Sequence, residues 1–442
     1  MFFQSLAPNL IIRHIEVMNM SQDKQKILQV STILLAIGLL TSLFYLNQSN
    51  QALTGQQQTL LAATSEASSL SAEIERLGSE LETADTTIVE LNAALNESRN
   101  VEAEPEAESF ILNIDMEGVP RNIILLIGDG MGIAQITAAK LINGDRDLAM
   151  TSLPYLALVE TRSSGYYVTD SAAAATAIAT GNKTKNGFIS MSPNGARLTT
   201  VLESAKSLGK STGIVTTTII THGTPAAFLA HVTNRGDYDA IAEQTLMSDT
   251  DVLLGGGSSS FSSQEAAEQG YTIINSRDEL LQFENGKVLG LFTSDHMNYN
   301  SSRDPSSEPS LVEMTENSMR LLTDDPEGFF LVVEGGLIDQ AAHDNDPQDT
   351  LEEVIEFDKA VYAALRFAAN RNDTLVIVTA DHETGGFAIT GGTPPNNPNY
   401  GWIGTSHTGV MVPVYGYGPS AELVLTLKDN TDLGILLKKL LE

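Results

Sequence analysis

Residues 122–132 read NIILLIGDGMG. A short apolar run, Asn122–Ile127, ends abruptly in an acid, Asp129, set between two glycines. Too short for a core helix and bounded by turn residues, such a run reads as a buried strand. Three more stretches have the same form: GIVTTTIITHGTP (213–225), FFLVVEGGLIDQAAHDND (329–346) and LVIVTADHETGG (375–386). Their apolar parts predict strands over Gly213–Thr217, Phe329–Val333 and Leu375–Thr379. Helical patterns intervene, as over Thr199–Leu208 and Leu351–Ala369. Strands alternating with helices predict an α/β fold with a doubly wound, mostly parallel sheet flanked by helices. In such sheets ligands gather beyond the carboxyl ends of the strands.

The polar residues fall at those ends. The first strand leads to Asp129, the second to His222 and Thr224, the third to Glu334, Asp339 and His343, the fourth to Asp381 and His382. A later segment, WIGTSHTG (402–409), adds His407. One strand-end Asp is an ordinary turn residue, but four strands ending this way in one sheet point to a site. Asp339 and His343 are four apart, so one helical face presents both. The chain has seven histidines and no cysteine, which excludes disulfides and thiolate ligands. Carboxylate and imidazole ligands suit zinc; carboxylate, threonine hydroxyl and water suit magnesium. Two or three metals could share the Asp129 carboxylate.

A lone hydroxyl opens another helix, in VTDSAAAATAIATGNKTKNG (168–187). Ser171 before four alanines reads as a helix N-cap. It also reads as a nucleophile held where a helix N-terminus favours anions.

The segment from Asn122 to Pro419 resembles the alkaline phosphatase family of metal-dependent phosphomonoesterases. The motifs GDGMG, TDSAAAATA, HGTPAAFLAHVTNR, VEGGLIDQAAH, TADHETGG and SHTGV occur in family order. The resemblance implies a role for each position. Ser171 is the nucleophile that becomes phosphorylated, and Arg235 clamps the phosphate. Asp129, Asp381 and His382 hold the zinc that touches Ser171. Asp339, His343 and His407 hold a second zinc. Asp129, Thr224 and Glu334 hold one magnesium. The substrates implied are phosphate monoesters. The chain departs from some members at His222, where they carry Asp; a neutral imidazole binds magnesium poorly. Gln340 and Thr384 stand where some members carry Lys or His. His231 reads as structural, His296 as loop support, and Trp402 as a packing residue near His407. A phosphodiesterase or sulfatase of the same superfamily is the alternative; Ser171 and the Arg235 clamp speak against it.

Before the catalytic unit, expected over 110–442, the sequence reads as a membrane tether. Ile27–Leu46 has no charged residue and is long enough to cross a bilayer. Arg13, Lys24 and Lys26 precede it, and no Lys or Arg follows until Arg76. That bias places residues 1–26 in the cytoplasm and the remainder outside. Leu70, Ile74, Leu77, Leu81, Ala84, Ile88, Leu91 and Leu95 follow heptad spacing. They predict a coiled-coil stalk over 57–98 and a homo-oligomer, with a parallel dimer favoured. Residues 99–109 read as an acidic linker. The formal net charge of −31 opposes binding to nucleic acid.

Overall fold

The computed structural model describes residues 31–39, 68, 69, 76 and 118–441, except 145, 370, 395 and 396. The chain divides into two units, Met1–Ser109 and Phe110–Glu442. In the first, residues 31–39 form a helix whose Ile33, Leu34 and Ile37 side chains are exposed. Among the described residues no helix is long and apolar enough to cross a membrane. Most of the expected span Ile27–Leu46, nearly all of the heptads and the acidic linker lie outside the described residues.

The second unit is built on a nine-stranded sheet. Its strands are β1 (Asn122–Gly128), β2 (Tyr155–Val159), β3 (Ser211–Ile219), β4 (Val252–Gly256), β5 (Thr272–Ile274), β6 (Val288–Leu291), β7 (Phe329–Gly335), β8 (Thr374–Thr379) and β13 (Val412–Tyr417). The order is β2-β13-β8-β1-β7-β3-β4-β6-β5. β13 alone runs against its neighbours; the other pairings are parallel. The mostly parallel sheet expected from the sequence is therefore present. β1, β7 and β8 are buried at every residue, which is why they read as unbroken apolar runs rather than alternating ones.

The four strands with polar ends, β8, β1, β7 and β3, are consecutive in the sheet. The register sets Ile127 beside Glu334 on one side and Thr379 on the other. Asp129, Asp381, Glu334 and the turn after β3 thus emerge together at one edge. β3 runs on past the expected Thr217, because its threonines stay inside the sheet.

The helix Ser171–Thr180 carries the Ser171 hydroxyl at its start, and all ten of its residues are buried. Its alanines make a thin cylinder that neighbours approach closely. On one side lies the helix Asn430–Leu441; a Cβ added to Gly434 would sit 2.5 Å from the Gly181 nitrogen. Lys438 Nζ donates to the Thr180 carbonyl at 2.9 Å, satisfying an orphan acceptor in the last turn. A two-residue pairing, β9 (Glu383–Thr384) with β12 (His407–Thr408), brings His407 opposite Thr384. A separate hairpin of β10 (Ala388–Thr393) and β11 (Asn397–Gly401) lies between them in the chain.

Candidate active site

The structure corrects the reading of Ser171 as a cap. Asp170 is the N-cap residue: its Oδ1 accepts from the Ala173 backbone N–H at 2.9 Å. Ser171 is the first helical residue, 1% exposed, and its Oγ lies 3.3 Å from His382 Nε2. A carboxylate cap satisfies an orphan N–H and leaves the hydroxyl to face the strand ends.

Three histidines converge there. His343 Nδ1 faces the Thr405 carbonyl, and His407 Nδ1 faces the Thr169 carbonyl at 2.9 Å. Carbonyls only accept, so both Nδ1 atoms carry the proton and both Nε2 atoms present lone pairs. Those Nε2 atoms are 3.0 Å apart and lie 3.3 and 3.6 Å from Asp339 carboxylate oxygens. Two lone pairs and a carboxylate at this distance need a positive charge between them. In the metal-free protein a proton serves: the hydrogen bond to Asp339 draws His343 up to about 9. Asp339 itself, although burial pushes it up, is held below the usual carboxylate range by His343, His382 and His407.

His382 repeats the logic. The Thr384 hydroxyl donates its one proton to Asp339, so its oxygen accepts from His382 Nδ1 at 3.3 Å. His382 Nε2 then faces Asp129 at 3.4 Å, Asp381 at 3.2 Å and Ser171 Oγ. Burial holds this imidazole neutral, well below its ordinary value. Thr384, a departure from some family members, thus orients one residue of each expected zinc group. Asp381 Oδ1 is taken by the backbone N–H groups of Gly130 and His382, at 3.1 and 2.9 Å. Gly130 has φ +72°, and a Cβ there would meet Thr384 Oγ1 at 2.8 Å and Asp339 Oδ1 at 2.9 Å. The motif needs this glycine for both reasons.

The third group lies after β3. Glu334 accepts from Thr216 and, at 3.2 Å, from Thr218. Those threonines are the signal that a buried strand carried a functional load, since an apolar strand would leave the carboxylate unsolvated. His222 is buried and, by burial and the neighbouring Arg235 charge, held down to about 3. Neutral, it accepts from Arg235 Nη2 at 3.1 Å through Nε2. Asp170 Oδ2 receives Arg235 Nη1 at 3.2 Å and the Gly187 N–H at 2.9 Å. Asp170 was not singled out in the sequence; its only mark there is that it precedes Ser171.

Seven of the residues expected to bind metal fall in three groups with ligand atoms within 4.8 Å of one another: Asp339, His343 and His407, as expected; Asp129, Asp339 and His382, with Asp339 where Asp381 was expected; and Asp129, His222 and Glu334, with His222 where Thr224 was expected. Both Asp129 oxygens, Asp381 Oδ2, Glu334 Oε1, Thr224 Oγ1 and His222 Nδ1 are buried without a hydrogen-bond partner. The five oxygens are orphaned acceptors, which cost several kcal/mol unless cations complete them; His222 Nδ1, which carries the ring proton, is an orphaned donor. Burial and the neighbouring carboxylates push Asp129 well up and Asp381 up to about 7; burial alone leads in raising Glu334 to about 7. The donor set fits zinc and magnesium. Arg235 comes beside these groups through His222, and Ser171 through His382. Among the described residues the remaining two histidines are supports. His231 bonds the Ser190 carbonyl and Glu203, and His296 accepts from the Ile219 N–H and sits edge-on to His222, 5.4 Å between ring centres. Trp402 packs on Phe387 and against Gly385, as expected.

Residues 120–397 match the family model described as alkaline phosphatase. The chain is 34% identical to alkaline phosphatase 4 of Bacillus subtilis over 411 residues, covering 73% of this chain and 89% of that one. A cold-active alkaline phosphatase from a psychrophilic Shewanella species superposes with a TM-score of 0.68 at 31% identity, over 73% of this chain and 100% of that one. A variant of the TAB5 alkaline phosphatase with magnesium bound superposes with a TM-score of 0.67 at 29% identity, over 73% of this chain and 98% of that one.

Proposed function

The chain belongs to the alkaline phosphatase family, and on that premise we propose that it hydrolyses phosphate monoesters through a phosphoserine at Ser171. The observation that carries this reading is a buried hydroxyl beside His382, which joins a cluster of imidazoles and carboxylates, with five buried oxygens of the expected ligands left without a hydrogen-bond partner.

The proposed centre takes two zinc ions and one magnesium. Asp129, Asp381 and His382 would hold one zinc, and Asp339, His343 and His407 the other. Asp129, Thr224 and Glu334 would hold magnesium, with His222 beside them. Bound there, the cations supply Lewis-acid stabilisation of the attacking and leaving oxygens. The chain's own residues do the rest. Arg235 offers two N–H groups to two phosphate oxygens in a bidentate fork. Asp170 and His222 already fix that guanidinium from either side, so little order is lost on binding. The first turn of the Ser171 helix presents backbone N–H groups to the anion. Ser171 Oγ gives up its proton to solvent and bonds to phosphorus as the bond from phosphorus to the ester oxygen breaks, and the alcohol departs with a proton taken from water. Water then displaces Ser171 and releases inorganic phosphate. A monoester brings a dianionic group with three non-bridging oxygens, two for the clamp and one left for the cations; a diester has only two, and both it and a sulfate ester carry a single negative charge, so the clamp holds them less well.

The test is a panel of a phosphate monoester, a diester and a sulfate ester, assayed with wild type and Arg235→Ala. Wild type should strongly prefer the monoester. Arg235→Ala should lose roughly 1.5–3 kcal/mol, about 10- to 150-fold in kcat/KM on the monoester, with little change on the diester. Equal loss on all three esters would remove the clamp from the argument.

Localisation is part of the proposal. The uncharged run Ile27–Leu46 behind Arg13, Lys24 and Lys26 supports a single-pass anchor with the catalytic unit outside the cytoplasmic membrane. The heptads support a parallel homodimer. The full chain should pellet with membranes, and protease added outside should release active enzyme cut near residues 99–109. Activity found in the soluble fraction, starting just after Leu46, would replace the anchor with a cleaved leader.

A further inference from the structure

The pairing that brings His407 to the site, β9 with β12, is two residues long. So short a ladder is marginal by itself. Glu383 reinforces it. Its side chain is 4% exposed and its carboxylate accepts four hydrogen bonds. Oε1 takes the Gln135 Nε2–H and the Phe387 backbone N–H, both at 2.9 Å. Oε2 takes the Thr408 hydroxyl and, at 3.3 Å, the Gly386 backbone N–H. Gln135 lies on the helix Ile133–Ile142, soon after Asp129, and its Nε2 also donates to the Thr384 carbonyl at 2.9 Å. Gly132 leaves room for this arrangement: an added Cβ would collide with Glu383 Cγ.

All four donors are neutral. Burying a carboxylate is costly, and neutral donors return only part of that cost. A charge kept here therefore serves what stands beside it. The donors come from three segments: the one that follows Asp129, the one that follows His382 and the one that carries His407. The three do not need the tie equally. Asp129 and His382 come directly after β1 and β8, in the middle of the nine-stranded sheet. His407 hangs on the two-residue ladder. Its Nδ1 bond to the Thr169 carbonyl sets the rotation of the ring, but the ladder sets where its backbone stands. We propose that Glu383 is a positioning residue: by holding Thr408 it fixes where His407 presents its Nε2 lone pair to Asp339 and His343, and so sets the zinc affinity of that group. The inference rests on the phosphatase reading, from which the two zinc groups come.

The test uses the full-length protein, stripped with a chelator and titrated with zinc against a chromophoric competitor, with magnesium present. Wild type should take up two zinc ions. Thr408→Val removes one hydroxyl from the tie. Glu383→Gln removes the charge and sets an amide against the Gly386 N–H. Each should weaken one zinc ion by about tenfold and leave the other within about twofold, the scale on which groups behind metal ligands act. Thr408→Ser should restore the lost affinity. In a His407→Ala background the ligand itself is gone, so Thr408→Val should change nothing further. Activity of the Thr408→Val enzyme should be low at limiting free zinc and return near wild type in excess zinc. A purely structural staple gives another pattern: the metal-free melting temperature falls while both zinc affinities stay. That pattern overturns the proposal, as does equal weakening of both ions or a further loss in the His407→Ala background. Should Glu383→Gln fail to fold, Thr408→Val decides alone. A wild type that takes up no zinc overturns the phosphatase reading, and this inference with it.

Discussion

Replacing Ser171 with alanine should reduce monoesterase turnover by about 10³-fold or more while zinc and magnesium content stays near wild type. The expectation rests on position. Ser171 Oγ is the hydroxyl at 3.3 Å from His382 Nε2, and it opens a helix whose cap is supplied by Asp170. The substitution therefore removes the proposed nucleophile without unseating the helix, and alanine suits the first turn. The carboxylates and imidazoles of the three groups remain, so the cations remain. Loss of a nucleophile that acts with its neighbours as a unit removes most of the rate enhancement at once. The measurement is steady-state turnover beside elemental analysis of the same sample, with a labelled phosphate ester quenched in acid to trap the phosphoserine. Turnover within tenfold of wild type, or label still held on the protein, would remove Ser171 from its role. Loss of metal together with activity would show that the hydroxyl is chiefly a ligand.

Much of this site was legible because parallel strands announce themselves. β1, β7 and β8 are buried on both faces, so their apolar runs are continuous and the residue that ends each run stands out. Asp129, Glu334 and Asp381 were found that way, and the spacing of Asp339 and His343 by helical period. Strand order was not legible: nothing in the sequence says that β3 pairs with β7 rather than β1. His407 could be assigned to a metal group only by resemblance, since its position depends on a two-residue pairing with Glu383–Thr384. Asp170 was missed for a different reason. Two of its three contacts, with Gly187 and Arg235, reach 17 and 65 residues along the chain, and for the third, with Ala173, local reading gave the cap to the serine next door. Thr216 and Thr218 were passed over as strand formers, although a run of buried threonines is what a buried Glu334 requires. The stalk and most of the anchor rest on pattern alone.

Stripping the metals should inactivate the enzyme and lower its melting temperature, and the drop should grow as pH rises from 7 to 9. Cations that bind only the native state stabilise it by mass action, about 4 kcal/mol for each site at a thousandfold excess over its Kd. For two or three sites that is on the order of 10 °C or more. The pH dependence follows from the groups left behind. In the metal-free protein Asp381 and Glu334 are raised to about 7, burial leading in both, and the hydrogen bond to Asp339 raises His343 to about 9. A group whose pKa is higher folded than unfolded contributes stability below its unfolded value, and that contribution is lost as pH rises through the folded value. The metal-free fold should therefore weaken between pH 7 and 9 chiefly as His343 loses its proton; the contribution of Asp381 and Glu334 is lost from about pH 4, where they titrate unfolded, up to about 7, and is largely gone by the start of that range. His382 and His222, both depressed by burial, work in the opposite direction, but an unfolded histidine titrates near 6.5, so their effect is largely complete by pH 7. Metal binding needs the same groups deprotonated, so zinc affinity should rise over that range. Differential scanning of loaded and chelated protein at pH 7, 8 and 9 measures both trends. Zinc with magnesium should restore more activity than either ion alone. A chelated protein that melts at the same temperature at all three pH values would show that Asp339 does not hold a proton on His343.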